Sequence, residues 1–473
     1  MFQQYLIATT FVLLSVTSIL AQSKPKAWRV EEVQEILKQR VDIDKQCVGI
    51  AVGVIGPQGN QTIGYGALRT GPSSSQSSSK SSVKPDANTV FEIGSVTKVF
   101  TTLLLADMVQ RGEVSLSDPA SKYLPKTVKL PTRDGREITL LDLATHTSAL
   151  PAMPNNFAPK DDLNPYADYS VEQMYTALAS CQLPRDISKE YEYSNLGMGL
   201  LGHILALQAG TEYEQLVAER ITKPLGMTDT SITLTENMKG RLAFGHNEVL
   251  EEVKNWDLPT LAGAGALRST VADMLKFVEA NMGKSKSPLS DAMALQTKTR
   301  IATGTPDLSI GLGWHILKST NAEIVWHNGE TGGYHSFVGF DKKRGVGVVV
   351  LANTSSDIDY IGLHLLDRDI PLQKFEPRKV RTAIKLAPEI LESYVGDYEI
   401  LPRFVISIAL AGDQLSLQAT GQPKFELFAE SESEFFLKVV DAQISFVKDD
   451  AGKVTKLILH QNGAHQPGKK LAR

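Results

Sequence analysis

A serine and a lysine, three residues apart, open a long apolar segment of this 473-residue chain. Within residues 91–108, apolar side chains recur at spacings of three and four after Ser95, which predicts a buried helix with one broad apolar face. Ser95 and Lys98 would therefore project from the same side of its first turn. A hydroxyl beside an amine, next to the free N–H groups of a helix N-terminus, suits acyl transfer. The amine takes the proton, and the N–H groups stabilise the developing oxyanion.

The Ser-x-x-Lys pattern is by itself a weak signal, because it occurs five times in the chain, beginning at residues 23, 77, 81, 95 and 445. The first three matches lie in low-complexity or linker-like sequence, and Ser445 lies within a strand pattern. Only the match at Ser95 opens a long buried helix. Other parts of the chain must therefore show whether Ser95 is a nucleophile.

A second motif, Tyr193-Ser194-Asn195, lies in a loop just before a predicted helix at residues 196–208. Side chains at such a position can point into a cleft. The Tyr193 phenol can serve as a base if a neighbouring cation lowers its pKa, and Lys98 is a candidate for that cation. The alternative is an ordinary surface turn.

A third motif, Trp326-His327-Asn328-Gly329, ends a predicted strand and enters a glycine-rich turn at residues 330–333. His327 could donate a hydrogen bond to a substrate carboxylate or carbonyl. Gly329 allows another backbone or a substrate to approach closely. The alternative is a histidine packed at the end of a strand.

Other catalytic chemistries find less support in the sequence. A Ser-His-Asp triad centred on His146 or His327 lacks the accompanying G-x-S-x-G elbow. The nine histidines are scattered without ligand spacing, so neither a metal nor a cofactor is predicted. Cys47 and Cys181 lack a neighbouring base motif, and the sequence leaves open whether they form a disulfide.

The composition is that of an ordinary globular protein, with 42% hydrophobic and 22% charged residues and a formal net charge of −4. It gives no indication of nucleic acid or an anionic membrane as a partner. Residues 5–20 are almost entirely apolar or small, but this run is short for a bilayer span. We therefore expect a signal peptide at 1–21, cleaved before Gln22, and an exported protein, periplasmic or secreted, with no stable membrane span.

Helical patterns, one of them at 138–148, lie between two groups of strand patterns in residues 28–370, the second group beginning at 312–316. This is the order expected of a helical sub-domain inserted into an α/β one. Residues 72–85 are serine-rich and predict an exposed loop, and residues 371–388, which are basic and contain prolines, predict a linker.

Beyond this linker, six short strands with tight turns predict a small antiparallel sheet or barrel at 389–473. The expected fold class is therefore α+β. An antiparallel sheet flanked by helices carries an inserted all-α sub-domain, and a small C-terminal antiparallel β domain follows.

Taken in this order, the motifs resemble those of the serine β-lactamase and penicillin-binding protein superfamily, specifically its class C β-lactamase-like branch. The resemblance covers roughly residues 28–370, and its motifs are FEIGSVTK at 91–98, LATHTS at 143–148, YSN at 193–195, PLGM at 224–227 and HNG at 327–329. The 143–148 stretch is similar to that of AmpH-type carboxypeptidase/endopeptidases. The C-terminal strands resemble the lipocalin-like domain that some of these hydrolases carry.

The resemblance implies a β-lactamase/transpeptidase-like fold and a role for each motif residue. Ser95 would be the acylated nucleophile, and Lys98 and Tyr193 would share the acid/base work. Asn195 would hold the substrate amide. The backbone N–H groups of Ser95 and Glu330 would form the oxyanion hole.

The strand motif departs from the usual pattern of the superfamily. Class C β-lactamases usually carry Lys-Thr-Gly where this chain has His327-Asn328-Gly329, which by the resemblance would bind substrate opposite Ser95. A histidine is neutral or only partly charged near pH 7, so a fixed cation for a substrate carboxylate is missing. The departure favours a DD-peptidase or an esterase over an efficient β-lactamase. His146 would order a loop rather than take part in the chemistry.

We therefore expect an exported serine hydrolase that acts on D-Ala-D-Ala-type peptides of the cell wall, with β-lactams as slow substrates or inhibitors. A β-lactamase and an esterase acting on small acyl esters are the alternatives within the superfamily. A catalytically silent binding module is a further alternative, but it would have no need of Ser95, Lys98 and Tyr193 together. The expected partners are a small peptide, β-lactam or ester substrate and peptidoglycan.

Overall fold

A computed structural model describes residues 28–70, 83–298, 300–375, 381–401, 404–420, 424–438, 442–461 and 464–471. The predicted signal peptide, most of the serine-rich stretch and part of the predicted linker lie outside the described residues. Two compact units divide at residue 377. Among the helices within the described ranges, none is both long and apolar enough to cross a bilayer.

The larger unit is built on an eight-stranded antiparallel sheet. Its described strands, together with a separate strand pair, are β1 (Gly49–Gly56), β2 (Gly59–Gly66), β3 (Val90–Glu92), β4 (Arg268–Thr270), β5 (Ile301–Ala302), β6 (Leu308–Ile310), β7 (His315–Lys318), β8 (Glu323–Glu330), β9 (His335–Asp341) and β10 (Val346–Ala352). The sheet order is β2-β1-β10-β9-β8-β7-β6-β5, and β3 pairs with β4 apart from it. Strands from the two ends of the unit therefore pair directly, with Ile50 of β1 in register with Ala352 of β10.

Helices cover both faces of this sheet. Those described in the larger unit are α1 (Val30–Lys38), α2 (Thr97–Gln110), α3 (Leu140–Ala144), α4 (Val171–Ser180), α5 (Asn195–Ala209), α6 (Tyr213–Val217), α7 (Glu236–Arg241), α8 (Ala262–Gly265), α9 (Val271–Met282), α10 (Ser290–Thr297) and α11 (Asp359–Leu366). On one face, Leu37 of α1 and Leu365 of α11 are buried in one core with Phe337. On the other, Phe100 of α2 and Phe277 of α9 stack with ring centroids 4.3 Å apart. The predicted α+β class is confirmed.

α2 is buried on all sides rather than along a single face. Every residue from Thr97 to Met108 is buried, because α5, α8 and α10 pack around the helix. Its polar side chains must therefore find partners inside the unit. Thr101 Oγ1 donates to Gly263 O at 2.7 Å, and Thr102 Oγ1 donates to Leu312 O at 2.9 Å. The predicted helix is confirmed, but the expectation of a single apolar face is wrong.

Two predicted elements are shorter in the structure. The helix predicted at 138–148 is reduced to α3, because His146 and Ala149 have φ angles of 57° and 61°, which a right-handed helix cannot contain. The strand predicted at 312–316 begins only at His315, since Gly313 adopts a φ of 72°. In both places a turn occupies part of a stretch that the sequence pattern alone assigns to a regular element.

The smaller unit is a closed antiparallel barrel preceded by α12 (Pro388–Tyr394). Its strands are β11 (Gly396–Leu401), β12 (Phe404–Ala411), β13 (Gln414–Ala419), β14 (Lys424–Ala429), β15 (Glu434–Phe436), β16 (Ala442–Lys448), β17 (Val454–Gln461) and β18 (Ala464–Lys470). The sequence pattern predicts six of these eight. It misses β11 and β18, because GDYEIL and AHQPGKK lack a clear alternation of apolar residues.

These two strands close the barrel. β11 pairs with β18 through Tyr398 and Lys470, so the first and last strands satisfy each other's backbone groups. The interior is filled by apolar side chains, among them Tyr398, Phe435 and Phe446. The likeness to a lipocalin-like domain stays a prediction. In the larger unit, Cys47 and Cys181 are both free thiols.

Candidate active site

Ser95 lies in a single 3₁₀ turn, Gly94–Val96, that leads directly into α2. Gly94 has a φ of 47°, which the absence of a Cβ permits. One turn later the Lys98 side chain extends back toward the serine, as helical side chains do. Its Nζ lies 2.9 Å from Ser95 Oγ. The spacing of the two residues thus brings the hydroxyl and the amine together at the start of the helix.

Lys98 is fully buried, and this burial lowers the pKa of its amine well below the usual value. The neutral amine that is favoured has two N–H donors and one lone pair. Two of its neighbours, Asn195 Oδ1 at 2.8 Å and Ala264 O at 2.6 Å, are acceptors and take both N–H groups. The lone pair of Lys98 Nζ is then left for the Ser95 hydroxyl. The amine is therefore placed to act as the base that removes the hydroxyl proton.

Tyr193 and Asn195 reach this pair from the N-terminus of α5. Ser194 caps the helix, its side chain accepting a hydrogen bond from a backbone amide of the first turn at 2.9 Å. The Tyr193 hydroxyl forms a hydrogen bond with the Ser95 side chain, and its ring centroid lies 4.7 Å from Lys98 Nζ. The loop motif therefore belongs to the same site as the helix motif.

The structure does not bear out the expectation that Lys98 lowers the pKa of Tyr193. Burial is the largest effect on this phenol, and it raises the pKa well above the usual value of 10. A hydrogen bond with Ser95 opposes this rise without overcoming it. Because burial favours a neutral Lys98, there is little positive charge to stabilise a phenolate. Tyr193 is therefore a neutral phenol that can donate a proton, not a phenolate base.

Three buried histidines form an aromatic wall beside Tyr193. The His146 ring stacks on that of Tyr193 with centroids 4.7 Å apart, and the His315 ring stacks on that of His327 at 5.2 Å. Tyr191 connects the two stacks, since its ring lies 5.8 Å from that of His146 and its hydroxyl 3.0 Å from His315 Nε2. Burial lowers the pKa of all three imidazoles, that of His315 to about 4. The wall is thus uncharged near pH 7.

β8 brings Gly329 and Glu330 directly against the serine turn. A Cβ on Gly329 would lie 2.8 Å from Ser95 N and 2.0 Å from Ile93 O, and one on Gly94 would lie 2.8 Å from Glu330 N. No side chain fits at either glycine without displacing the neighbouring backbone. The backbone of the serine turn therefore packs closely against Gly329 and Glu330, and the amide nitrogens of Ser95 and Glu330 both lie at this contact.

Asn328 points away from this contact. Successive side chains of a strand alternate between faces, so Asn328 faces away from the side on which His327 approaches Tyr193. On that far face, Asn328 Nδ2 donates to Asp359 Oδ2 at 2.6 Å. The sequence-predicted site residues that the structure does gather are Ser95, Lys98, Tyr193, Asn195, His327, Gly329 and the backbone of Glu330.

A buried ion pair supports the segment that leads to the serine. Glu92 Oε1 accepts from Arg268 Nη2 at 3.1 Å and from the Trp256 amide at 3.0 Å. Both charged side chains are less than one-tenth exposed. Glu92 and Arg268 are also in register between β3 and β4, so side chains and backbone fix this strand together.

Four contributors to the site escape the sequence analysis. Ala264 acts only through its backbone carbonyl, which no residue pattern reveals. His315 lies in the stretch predicted as a strand at 312–316, and Asp359 lies in a polar segment; neither belongs to a motif. Tyr191 could have been found, because residues two apart in an extended segment share a face and Tyr193 follows it.

The fold and the Ser95–Lys98 pair define this chain as a serine hydrolase. The sequence profile of the family described as Beta-lactamase matches residues 33–364, and the chain belongs to that family. Residues 380–470 match a domain of unknown function, DUF3471.

Relatives of stated activity and a solved structure are similar to the larger unit. The D-alanyl-D-alanine-carboxypeptidase/endopeptidase AmpH of Escherichia coli K12 is 32% identical over 324 residues, which are 65% of this chain and 80% of that protein. A beta-lactamase of Pseudomonas fluorescens is 29% identical over 358 residues, 68% of this chain and 92% of that protein. The crystal structure of a beta-lactamase/D-alanine carboxypeptidase from Yersinia pestis, 22% identical, superposes with a TM-score of 0.62 over 73% of this chain and 99% of that chain.

Proposed function

We propose that this chain is an exported enzyme that forms an acyl-enzyme at Ser95 and acts as a D-alanyl-D-alanine carboxypeptidase or endopeptidase on cell-wall peptides. The observation that carries the proposal is the 2.9 Å contact between Ser95 Oγ and a buried Lys98 amine whose pKa is lowered. The activity named for the AmpH relative supports this substrate class. The apolar stretch at residues 5–20 supports export.

Acylation follows from the placement of the donors and acceptors. Ser95 Oγ attacks the substrate carbonyl carbon while its proton passes to the lone pair of Lys98 Nζ. The backbone N–H groups of Ser95 and Glu330 stabilise the resulting oxyanion. As the intermediate collapses, the Tyr193 hydroxyl donates a proton to the leaving nitrogen and regains one from the protonated Lys98. Asn195 holds the substrate amide.

Deacylation reverses these roles with water as the nucleophile. Water attacks the Ser95 ester, and its proton passes to Lys98 through Tyr193. The same two backbone amides stabilise the second oxyanion. Ser95 Oγ leaves and recovers its proton, which restores the starting site.

A β-lactamase or an esterase of the same family is the second candidate. The protonation state of His327 bears on the choice between these activities. Its side chain is 1% exposed, and burial lowers its pKa well below the usual value. An uncharged imidazole offers a substrate carboxylate a weaker contact than the lysine usual in class C β-lactamases. Esters and internal peptide bonds, the latter being the substrates of an endopeptidase, need no such cation. They suit this site better than substrates with a free carboxylate, which include both β-lactams and peptides that end in D-alanine.

The acyl-enzyme is tested by intact-mass analysis after incubation with a labelled penicillin. Wild-type protein should gain the mass of one penicillin, and Ser95→Ala should gain none. Ser445→Ala is the matched control, because Ser445 opens another Ser-x-x-Lys match but lies in β16 of the barrel. A wild type without an adduct, or an unchanged adduct on Ser95→Ala, would refute the mechanism and favour a silent binding module.

The substrate class is tested by turnover of nitrocefin, a D-Ala-D-Ala peptide and p-nitrophenyl acetate under the same conditions. A peptidase should release D-alanine faster than it opens nitrocefin. Fast nitrocefin turnover would instead identify a β-lactamase, and turnover confined to the ester would identify an esterase.

A further inference from the structure

A buried charged network lies behind β8, on the face of the sheet away from Ser95. Asp359 begins α11, and its two oxygens accept hydrogen bonds from Asn328 Nδ2 at 2.6 Å and from His335 Nε2 at 3.0 Å. Asn328 belongs to β8 and His335 to β9, so one carboxylate bridges two neighbouring strands. His335 is also in register with Glu330, whose backbone lies against Gly94 of the serine turn. The network is therefore adjacent in the sheet to the proposed oxyanion site.

The network is charged as well as buried. The His335 side chain is 4% exposed and that of Asp359 is 10% exposed. Desolvation opposes protonation of His335, but the Asp359 carboxylate, with Asp357 and Glu330, outweighs it and raises the pKa of His335 to about 10. Burial, with Asp357, raises the pKa of Asp359 to about 6. Removing one of the two charges would leave the other buried without a counter-charge, which is costly. The pairing therefore keeps His335 and Asp359 in contact.

A metal site is the alternative interpretation of this group, because ligand atoms of His335, Asp357 and Asp359 lie within 4.8 Å of one another. His335 Nε2, both Asp359 oxygens and Asp357 Oδ1 already take part in hydrogen bonds within the protein. Both Asp359 oxygens accept from side chains, and Asp357 Oδ1 accepts from the Asp359 amide at 2.8 Å at the start of α11. A cation would have to displace these donors. The geometry therefore favours a set of hydrogen bonds in which Asp359 joins Asn328 to His335, called the clamp below.

We infer that Asp359 and His335 are positioning residues, which hold β8 from behind so that Gly329 and Glu330 meet the Ser95 turn. The inference rests on the proposed function. The contact between Gly329 and the Ser95 turn is tight, because an added Cβ at Gly329 would lie 2.0 Å from Ile93 O. Catalytic groups must stay within about 0.5 Å of their productive positions. Loss of the clamp would let the strand shift and separate the Glu330 amide from that of Ser95.

The first test compares Asp359→Asn with Asp367→Asn. Both aspartates are buried and flank the same helix, but Asp367 follows the C-terminus of α11, where it accepts from Ser319 Oγ. With p-nitrophenyl acetate as substrate, Asp359→Asn should lower kcat at least tenfold and change KM less than threefold, because the oxyanion contact acts in the transition state. Asp367→Asn should keep kcat within twofold. Thermal unfolding shows that each variant is folded.

A pair of His335 variants distinguishes positioning from mere packing. Gln keeps a side-chain N–H donor for the Asp359 carboxylate, and Ala does not. His335→Ala should therefore lose kcat as Asp359→Asn does, and His335→Gln should recover at least a third of the wild-type value. Equal kcat for the two would overturn the inference.

Hydrogen–deuterium exchange tests, without an activity assay, whether Asp359 holds β8 in place. Backbone amides of β8 should exchange faster in Asp359→Asn than in wild type, and should be unchanged in Asp367→Asn. Unchanged β8 exchange, or a folded Asp359→Asn with wild-type kcat, would overturn the inference. If Zn²⁺ raised the melting temperature of wild type but not that of Asp359→Asn, the group would be a metal site, and the inference would be wrong. A wild type without Ser95-dependent turnover would refute the proposed function alone, and the exchange comparison would still decide the clamp.

Discussion

The charge state of Lys98 can be measured through the pH dependence of stability, with Lys98→Met as the perturbation. Met has a similar length and no titrating group. In the native protein burial favours the neutral amine, whereas in the unfolded chain the lysine is solvated and protonated below about pH 10.4. Between the lowered native pKa and that value, the unfolded chain therefore binds one proton more than the native protein.

The size of the effect follows from this proton difference. The free energy of unfolding contributed by Lys98 is full above about pH 10.4 and falls by about 1.4 kcal/mol for each pH unit below it, until the native pKa is reached. From pH 9 to pH 7, the stability difference between wild type and Lys98→Met should change by up to about 2.7 kcal/mol in favour of the variant. Groups on which Lys98 has no electrostatic effect, such as His335, titrate equally in both proteins and cancel in the difference. Lys98 does act on His146, His315 and His327, but burial, the largest effect, lowers the pKa of all three imidazoles in either protein.

Urea unfolding at pH 7, 8 and 9 provides the measurement, because the pH slope of the difference needs no absolute stability. Lys276→Met serves as the control, since the Lys276 side chain is 43% exposed and donates to Asp273. Its difference from wild type should stay constant with pH. Lys98→Met should also lose acylation by about 10²- to 10⁴-fold, the usual contribution of a general base. Parallel stability curves for wild type and Lys98→Met would show a charged Lys98 and refute the assignment of the base.

Three further changes test other parts of the site. Tyr193→Phe should lower kcat/KM for a peptide about 10²-fold but spare p-nitrophenyl acetate, whose leaving group needs no proton; equal losses on both would contradict the acid role. Glu92→Ala should lower the free energy of unfolding in urea by about 3–5 kcal/mol, because it removes the buried carboxylate partner of Arg268 and leaves only the exposed Asp257 at 3.4 Å. A loss below about 1 kcal/mol would show that the Glu92–Arg268 pair is dispensable. Gly329→Ala should abolish the penicillin adduct, because its Cβ would overlap a backbone carbonyl oxygen. Gly56 has open space around it, so Gly56→Ala should keep the adduct. A penicillin adduct on Gly329→Ala would contradict the close contact between Gly329 and the serine turn.

Local sequence determined the parts of the site that depend on neighbours in the chain. The three-residue spacing of Ser95 and Lys98 predicts their contact, because a helix places such side chains on the same side. Tyr193 and Asn195 were predictable as a motif at a helix start, since Ser194 is a favourable N-cap. The apolar periodicity after Ser95 likewise predicts α2.

Properties that depend on tertiary surroundings were beyond the sequence. The pKa of Tyr193 is raised rather than lowered, because burial reduces both its own ionisation and the charge of Lys98. Asn328 shares a motif with His327 but faces Asp359, since strand alternation separates neighbours. The strands that close the barrel lack apolar alternation, so their pairing depends on the completed barrel rather than on local preference.

The pairing of β1 with β10 has a consequence for how the chain folds. Ile50 finds its partner only when Ala352 has been made, and at about 5–20 residues per second that interval lasts on the order of 15–60 s. Through this interval β1, which is apolar on both faces, presents an unpaired edge of the kind that recruits other chains. Pairs so distant in sequence also form slowly, because a long loop must close before any contact compensates for the lost entropy. The larger unit therefore completes its sheet only after nearly all of its residues are available, and a nascent chain depends on being shielded from aggregation until then.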